Sequence, residues 1–535
     1  MNRISKDVKM LRKSAIFLLM MVVPVFALAQ HKTEESKPSK PTAKSTPSHS
    51  STSYGASHSS TTSHSTTTNH SYSSAGGHAG TTSHTTTTSH TSTTTHTGMT
   101  NRGGGAMSHS ATTTRTTTST STSHTPPGRT LSLQGGGTAS IRPNGQVRSF
   151  SRGGMTVTNN VNGSRTIVSV HNNVTIVNSG RVGYVQRPYV VRGGVSFVSR
   201  TYVVGGVVRV GVYRSFYWGG HPYFGWHPGF WWHPGFYAWG WHPWGAPLYW
   251  GVGLWGWHGP WFGFYAGWWN PYPYYAAPYY WLTDYLISQQ LQAAYATNYA
   301  AAEDRHADEM AADAAGSDAA ASANAPPPAD ASAGGTPLSP EVKEAIAEEV
   351  KAQLAAQQGQ AQAETGGGSA SAAPAAAPAS AQGPPPALDP AQRTFIVNTD
   401  LSVVSNGQEC GLSSGDVLTR LTDTPDADQT VNASVSASKK SDCAAGQTVA
   451  VKVDDLQEMF NHFQEQLNNG MSEMAKKQGS NGMPAAPDTG TTASSVPPPP
   501  PDPNAAKDLQ QQQQQANQAE TQVQQQAASS GGGTQ

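Results

Sequence analysis

Acidic residues are almost missing from the first half of this chain: between Lys32 and Thr283 the only carboxylates are Glu34 and Glu35. Lysine is missing as well from Arg129 to Arg214, so the interior of that stretch carries its charge on Arg142, Arg148, Arg152, Arg165, Arg181, Arg187, Arg192, Arg200 and Arg209. Beyond Asp284 the balance reverses, and the formal net charge of zero hides the polarity. Such a split points to a polyanionic or membrane-surface partner for the basic half, or to attraction between the halves themselves.

Cysteine is nearly absent too. Cys410 and Cys443 are alone, which excludes CxxC metal and redox chemistry and, in an exported chain, points to one disulfide. Closing a loop of roughly 30 residues contributes about 3–4 kcal/mol. Hydrophobic residues make up 36%, too few for most of the length to offset the roughly 1–2 kcal/mol of backbone entropy each ordered residue loses. The predicted fold class is therefore mostly disordered, low-complexity sequence around two regions able to fold: an all-β antiparallel meander in the N-terminal half, and a small α+β C-terminal module ending in an amphipathic helix. No catalytic signature is found: no GxSxG elbow, no phosphate loop and no HExxH. Gly251 to Gly256 matches GxGxxG only formally, with no acid about 20 residues on. The expectation is a protein that is not an enzyme and takes no cofactor.

What is present begins with Arg3, Lys6, Lys9, Arg12 and Lys13, an apolar stretch from Ala15 to Leu28, and Ala27-Leu28-Ala29 before Gln30. This predicts a signal peptide over 1–29 and export to the periplasm, outer surface or medium. Residues 30–128 are Ser/Thr/His-rich, with His58, His64 and His70, then His78, His84, His90 and His96, at six-residue spacing. Imidazoles on a flexible chain can gather round Zn²⁺ or Cu²⁺, so these are weak metal candidates beside an extended stalk.

Residues 129–214 alternate β-prone runs with Asn144-Gly145, Asn162-Gly163, Gly193-Gly194 and Gly205-Gly206, the turn chemistry of consecutive hairpins. Arg152, Arg165, Arg181, Arg192, Arg200 and Arg209 are the candidate polyanion contacts. Residues 215–283 hold all 14 tryptophans of the chain among Gly and His-Pro repeats. Gly and Pro at that density argue against a spanning helix; interface location, sugar stacking, self-association or cover for the meander all suit the rings. Helices are predicted over 284–312 and 340–357, the latter with Ser339 as N-cap and an apolar stripe of Val342, Ile346, Val350 and Leu354, inside an Ala/Pro linker spanning 313–390. Residues 391–479 read as five short strands and a helix with Leu456, Phe460, Phe463, Leu467, Met471 and Met474 on one face. The Pro/Gln-rich 480–535 is expected to be a disordered tail.

The span Thr130 to Tyr299, with Leu131-Ser132-Leu133-Gln134-Gly135-Gly136-Gly137 and Trp281-Leu282-Thr283-Asp284-Tyr285-Leu286, resembles a group of uncharacterised exported bacterial proteins rich in Gly, Trp and Tyr; the resemblance implies no particular activity. Gly411-Leu412-Ser413-Ser414-Gly415-Asp416-Val417-Leu418 resembles the Gly-Leu-x-x-Gly-Asp-x-Ile segment of PDZ domains, and the strand count also resembles bacterial SH3-like barrels, which implies peptide or glycan binding. The functional expectation is a non-catalytic cell-envelope or surface protein held to an anionic polymer or membrane surface. Its rivals are a peptide-binding adaptor acting through 391–479 and metal binding by the histidine repeat; self-association fits as well, and no specific nucleic-acid partner is indicated.

Overall fold

The computed structural model describes residues 126–179, 182–204, 206–249, 260–313, 335–366, 381–440, 442–480 and 482–531. The predicted signal peptide over 1–29, the histidine repeat with His58, His64, His70, His84, His90 and His96, and Arg181 lie outside the described residues.

Ten strands pair in sequence order, each antiparallel to the next: β1 (Arg129–Ser132), β2 (Thr138–Ile141), β3 (Val147–Arg152), β4 (Met155–Asn159), β5 (Arg165–His171), β6 (Val174–Ser179), β7 (Val182–Arg192), β8 (Val195–Val204), β9 (Val207–Trp218) and β10 (His221–His227). The turns explain the register. Asn172-Asn173 (φ 50° and 61°) and Gly193-Gly194 (φ 57° and 76°) take the left-handed conformation at both central positions, the two-residue turn whose twist matches that of the strands. The meander is the one expected, but it runs on past residue 214, because Gly219-Gly220 supplies another such turn and brings 221–227 into the sheet.

The aromatic segment forms β11 (Phe230–Trp232), α1 (Pro234–Trp239), β12 (Leu248–Tyr249), α2 (Pro260–Tyr265) and β13 (Tyr274–Tyr275). Among the described residues its rings are mostly buried or half-buried. Trp231, Phe236, Tyr237, Trp269, Tyr275 and Trp281 are buried in a core shared with α3 (Pro278–Asp313), α4 (Pro340–Gly366) and a helix of the C-terminal module. Helix α3 begins six residues earlier than expected, with Pro278 at its first position, where a missing N–H costs nothing. Helix α4 starts where expected, Ser339 Oγ accepting from the Val342 N–H at 3.3 Å, and continues to Gly366. Asp284 of α3 and Lys343 of α4 form a buried ion pair at 2.8 Å, and Asp284 also accepts from the Tyr272 N–H and the Tyr275 hydroxyl.

After a two-residue strand β14 (Ala381–Gln382) beside β9, the C-terminal module comprises β15 (Thr394–Ile396), β16 (Leu401–Ser405), β17 (Gln408–Leu412), β18 (Val417–Arg420), β19 (Thr430–Ala437), β20 (Thr448–Lys452) and α5 (Val453–Lys477). Its sheet order is β15-β18-β19-β20-β16-β17. Strand β17 was not anticipated; Asn406-Gly407 makes the turn that creates it. It carries Cys410, disulfide-bonded to Cys443. In the Gly-Leu-x-x-Gly-Asp segment, Asp416 is buried and accepts from the Ser413 and Lys439 N–H groups, both at 2.8 Å.

The largest departure from expectation is the tail. Residues 482–504 run back over the meander: β21 (Thr491–Ala493) pairs with β11, and Val496 is buried against Phe197 and Val212. Helix α6 (Ala505–Gly531) then crosses to β1–β3. Gln-rich composition suggested disorder, yet Leu509, Ala516, Val523 and Ala527 recur at helical spacing and are buried on the meander. The helix lies close. A Cβ on Gly183 would come 2.6 Å from a Leu509 methyl carbon.

Between α4 and α5 sits a buried polar layer in which Glu349 accepts from Gln353 at 2.7 Å and Gln353, Gln357, Gln392 and Gln464 bond to one another. Burial pushes the Glu349 carboxyl up to about 7, against the opposing bonds from Gln353 and the Thr394 and Arg393 N–H groups. Because the folded value lies above the unfolded one, its contribution to stability is full below about pH 4.5 and is lost as pH rises through 7. Glu349→Gln should therefore gain on the parent by on the order of 2–3 kcal/mol between pH 5 and pH 8 in urea unfolding; parallel pH profiles would contradict this.

Candidate functional site

Strand alternation sets Tyr184, Arg200, Tyr202, Arg209 and Tyr213 on the side of β7–β9 that faces α5. Arg200 is 1% exposed. A guanidinium so buried requires a full set of acceptors, and it has them: two parallel bonds to Glu458 at 2.7 and 2.8 Å, and one from Nε to Gln186 at 2.8 Å. The Tyr184 and Tyr213 rings flank it at 4.5 and 4.0 Å. Burial pulls its pKa down, but the Glu458 carboxylate and the surrounding tyrosine side chains together outweigh that and hold it well above the ordinary arginine value. Burial raises Tyr184, Tyr202 and Tyr213, so these phenols stay neutral. Two turns along α5, Glu465 accepts from Arg209, which lies over the Tyr202 ring at 4.8 Å.

Several other arginines meet acids from the same half. Glu409 on β17 accepts from Arg142 and Arg148, each at 2.9 Å from Nε; burial would raise its pKa, and the two guanidinium bonds hold it below the usual carboxylate value. Arg165 contacts Asn517 at 2.6 Å and Glu520 at 3.1 Å. Arg187 bonds Asp502, and Asp508 at 3.0 Å. Of the six candidate polyanion contacts, then, Arg165, Arg200 and Arg209 meet carboxylates of the chain itself. Arg152 bonds the neutral Gln522 at 2.7 Å. Arg192 is exposed at the β7–β8 turn. Among the described residues no single outward cluster unites these candidates.

Two clefts open on the meander. One, of about 950 Å³, is lined by Asn144, Gln146, Asn159 and Asn160 together with Arg129, Arg142 and Glu520. The other, of about 370 Å³, brings Ser169, His171 and Asp508 together. Ser169 there accepts from Gln512 at 3.1 Å and Asp508 from Arg187, rather than forming the nucleophile, base and orienting acid that acyl transfer is built on. Among the described residues no group of three or more His, Cys, Asp or Glu is placed to hold a metal ion, and no helix is long and apolar enough to cross a membrane.

Comparison with protein-family models, with curated proteins and with solved structures finds no match.

Sequence reasoning missed the acids that do the pairing. Glu458 and Glu465 stand seven apart on α5 and so share a face, a signal within reach; Glu409 follows the overlooked Asn406-Gly407 turn; Asp502, Asp508 and Glu520 were set aside with the tail. Breaking a buried pair is costly and breaking an exposed one is not. Arg200→Ala should lower unfolding free energy by about 2–4 kcal/mol, and Arg209→Ala, at a side chain 40% exposed, by less than about 1 kcal/mol. Denaturant titration of the two variants checks the order, and a reversed ranking would show that Arg200 is not the anchor.

Proposed function

We propose that this is a non-catalytic, exported cell-envelope or surface protein whose attachment does not depend on its Arg-rich strands acting as a polyanion receptor. The observation that carries the reading is the commitment of Arg142, Arg148, Arg165, Arg187, Arg200 and Arg209 to Glu409, Glu520, Asp502, Asp508, Glu458 and Glu465. A phosphate or sulfate polymer would have to displace these acids, several of them in partly or wholly buried pairs, before it gained a contact. The aromatic tract is engaged in the core in the same way. A disulfide supports delivery to an oxidising compartment, as the N-terminal sequence does.

The test is fractionation of cells carrying the tagged chain, with the envelope pellet washed in low salt and then near 1 M salt, where charge interactions are screened beyond about 3 Å. The expected result is retention through both washes. Release by salt would return weight to the cations without an internal carboxylate, such as Arg192, and recovery in the soluble fraction would overturn the envelope assignment.

A further inference from the structure

Where the aromatic tract meets the C-terminal module, two buried hydrogen-bond donors lie close together without an acceptor. Lys439, just past β19, is 6% exposed, and among the described residues its Nζ has no hydrogen-bond partner. Trp268, three residues beyond α2, is 8% exposed, and its indole Nε1 has none either. Nζ stands 5.7 Å from the centre of the Trp268 ring and 6.0 Å from that of Tyr265, at the outer limit for a ring face to steady a cation. The carboxylates that act on the ammonium are engaged elsewhere: Asp416 accepts from the Ser413 and Lys439 N–H groups, and Asp400 from that of Ser414. Burial accordingly holds the amine down at about 8, with Asp416 and Asp400 pulling it up and Lys440 pushing it further down. Two segments enclose the pair. The Leu338 N–H donates to the Trp268 carbonyl at 2.8 Å, and a Cβ on Gly335 would clash with the Lys439 carbonyl. At the β17–β18 turn, a Cβ on Gly415 would come 2.7 Å from Nζ and 3.7 Å from a Leu291 methyl carbon.

We propose that Lys439 Nζ and Trp268 Nε1 together hold one small monovalent anion, of halide size, which ties the aromatic tract to the C-terminal module. The donors select the class of ligand. An ammonium and an indole N–H can only donate, so a shared partner must accept from both. An acceptor about 3 Å from each donor bridges a separation of up to about 6 Å, the scale of the distance from Nζ to the indole. Water also accepts, but it would bring two protons of its own among the Tyr265 and Trp268 rings and Leu291, which accept poorly or not at all. An anion has no proton to place, and it neutralises a cation whose burial is otherwise costly. Asp416 and Asp400 limit the charge, since their negative potential opposes phosphate or sulfate far more than a single charge. Enclosure limits the size: neither cleft on the meander includes these side chains. The site lies apart from the envelope reading and holds whichever compartment receives the chain.

The test is urea unfolding of the full chain, disulfide intact, near pH 7, where Lys439 is mostly protonated. Sodium chloride is raised from about 3 to about 300 mM against sodium gluconate at constant ionic strength, gluconate being too bulky for the site. Unfolding free energy should rise by about 1.4 kcal/mol for each tenfold increase in chloride above the dissociation constant, the signature of one ion released on unfolding. Bromide should serve in its place. Lys439→Met keeps the stem and removes the charge; its chloride slope should be lower by one ion whether its overall stability rises or falls. Trp268→Phe keeps a ring and removes the N–H, and should need about tenfold more chloride to reach half of the effect. A parent indifferent to chloride would mean that water meets the two donors and would overturn the inference. So would equal chloride slopes in the parent and Lys439→Met, or, if that variant does not fold, a Trp268→Phe curve that half-saturates where the parent does.

Discussion

A buried guanidinium cannot be left unanswered, and Arg200 is where the two halves of this chain become one structure. Its bonds to Glu458 join a strand of the meander to the helix that closes the C-terminal module, across 258 residues of sequence. Because the meander contains no acid, none of its arginines can settle for a nearby carboxylate. Every charge-matched partner is distant, and each of the pairs at Glu409, Glu458, Glu465 and Glu520 spans more than 250 residues. Segregating the charges by half therefore removes a class of local mispairings. It also makes the assembled state slow to reach, since these contacts form only after long loops have closed.

The helical layer solves a different problem with neutral groups. Trp231, Trp269 and their neighbours supply bulk where Gly and Pro keep the regular elements short, and Trp281 on α3 joins them. The glutamine layer between α4 and α5 and the Asp284–Lys343 pair add polar contacts with specific geometry inside that bulk. Apolar packing alone tolerates many arrangements, and satisfied polar networks restrict them. Here the two are interleaved, so the register of α3, α4 and α5 follows from hydrogen-bond geometry as well as from volume.

Hairpins were legible because their cause is local: Gly145, Gly163 and the pair Gly193-Gly194 occupy left-handed turn positions that other residues rarely adopt. The disulfide was legible because only two cysteines exist. What escaped was everything decided by distant partners. The aromatic tract has no helical or strand period, so its burial had to come from tertiary packing. Helix α6 hides its seam, since Ala516 and Ala527 look like linker residues until a sheet lies beneath them. The arginines were found as a group, yet their destination was not, because nothing near Arg165 or Arg200 announces Glu520 or Glu458.

The crossing of α6 over β1–β3 has a temporal side. The ribosome makes the meander well before the helix that covers its apolar bed. Throughout the intervening synthesis Phe150, Val157 and Ile167 have no permanent cover, and an uncovered sheet of this kind is a template for aggregation. A nascent chain with this order of parts gains from being kept unfolded or shielded until α6 has emerged.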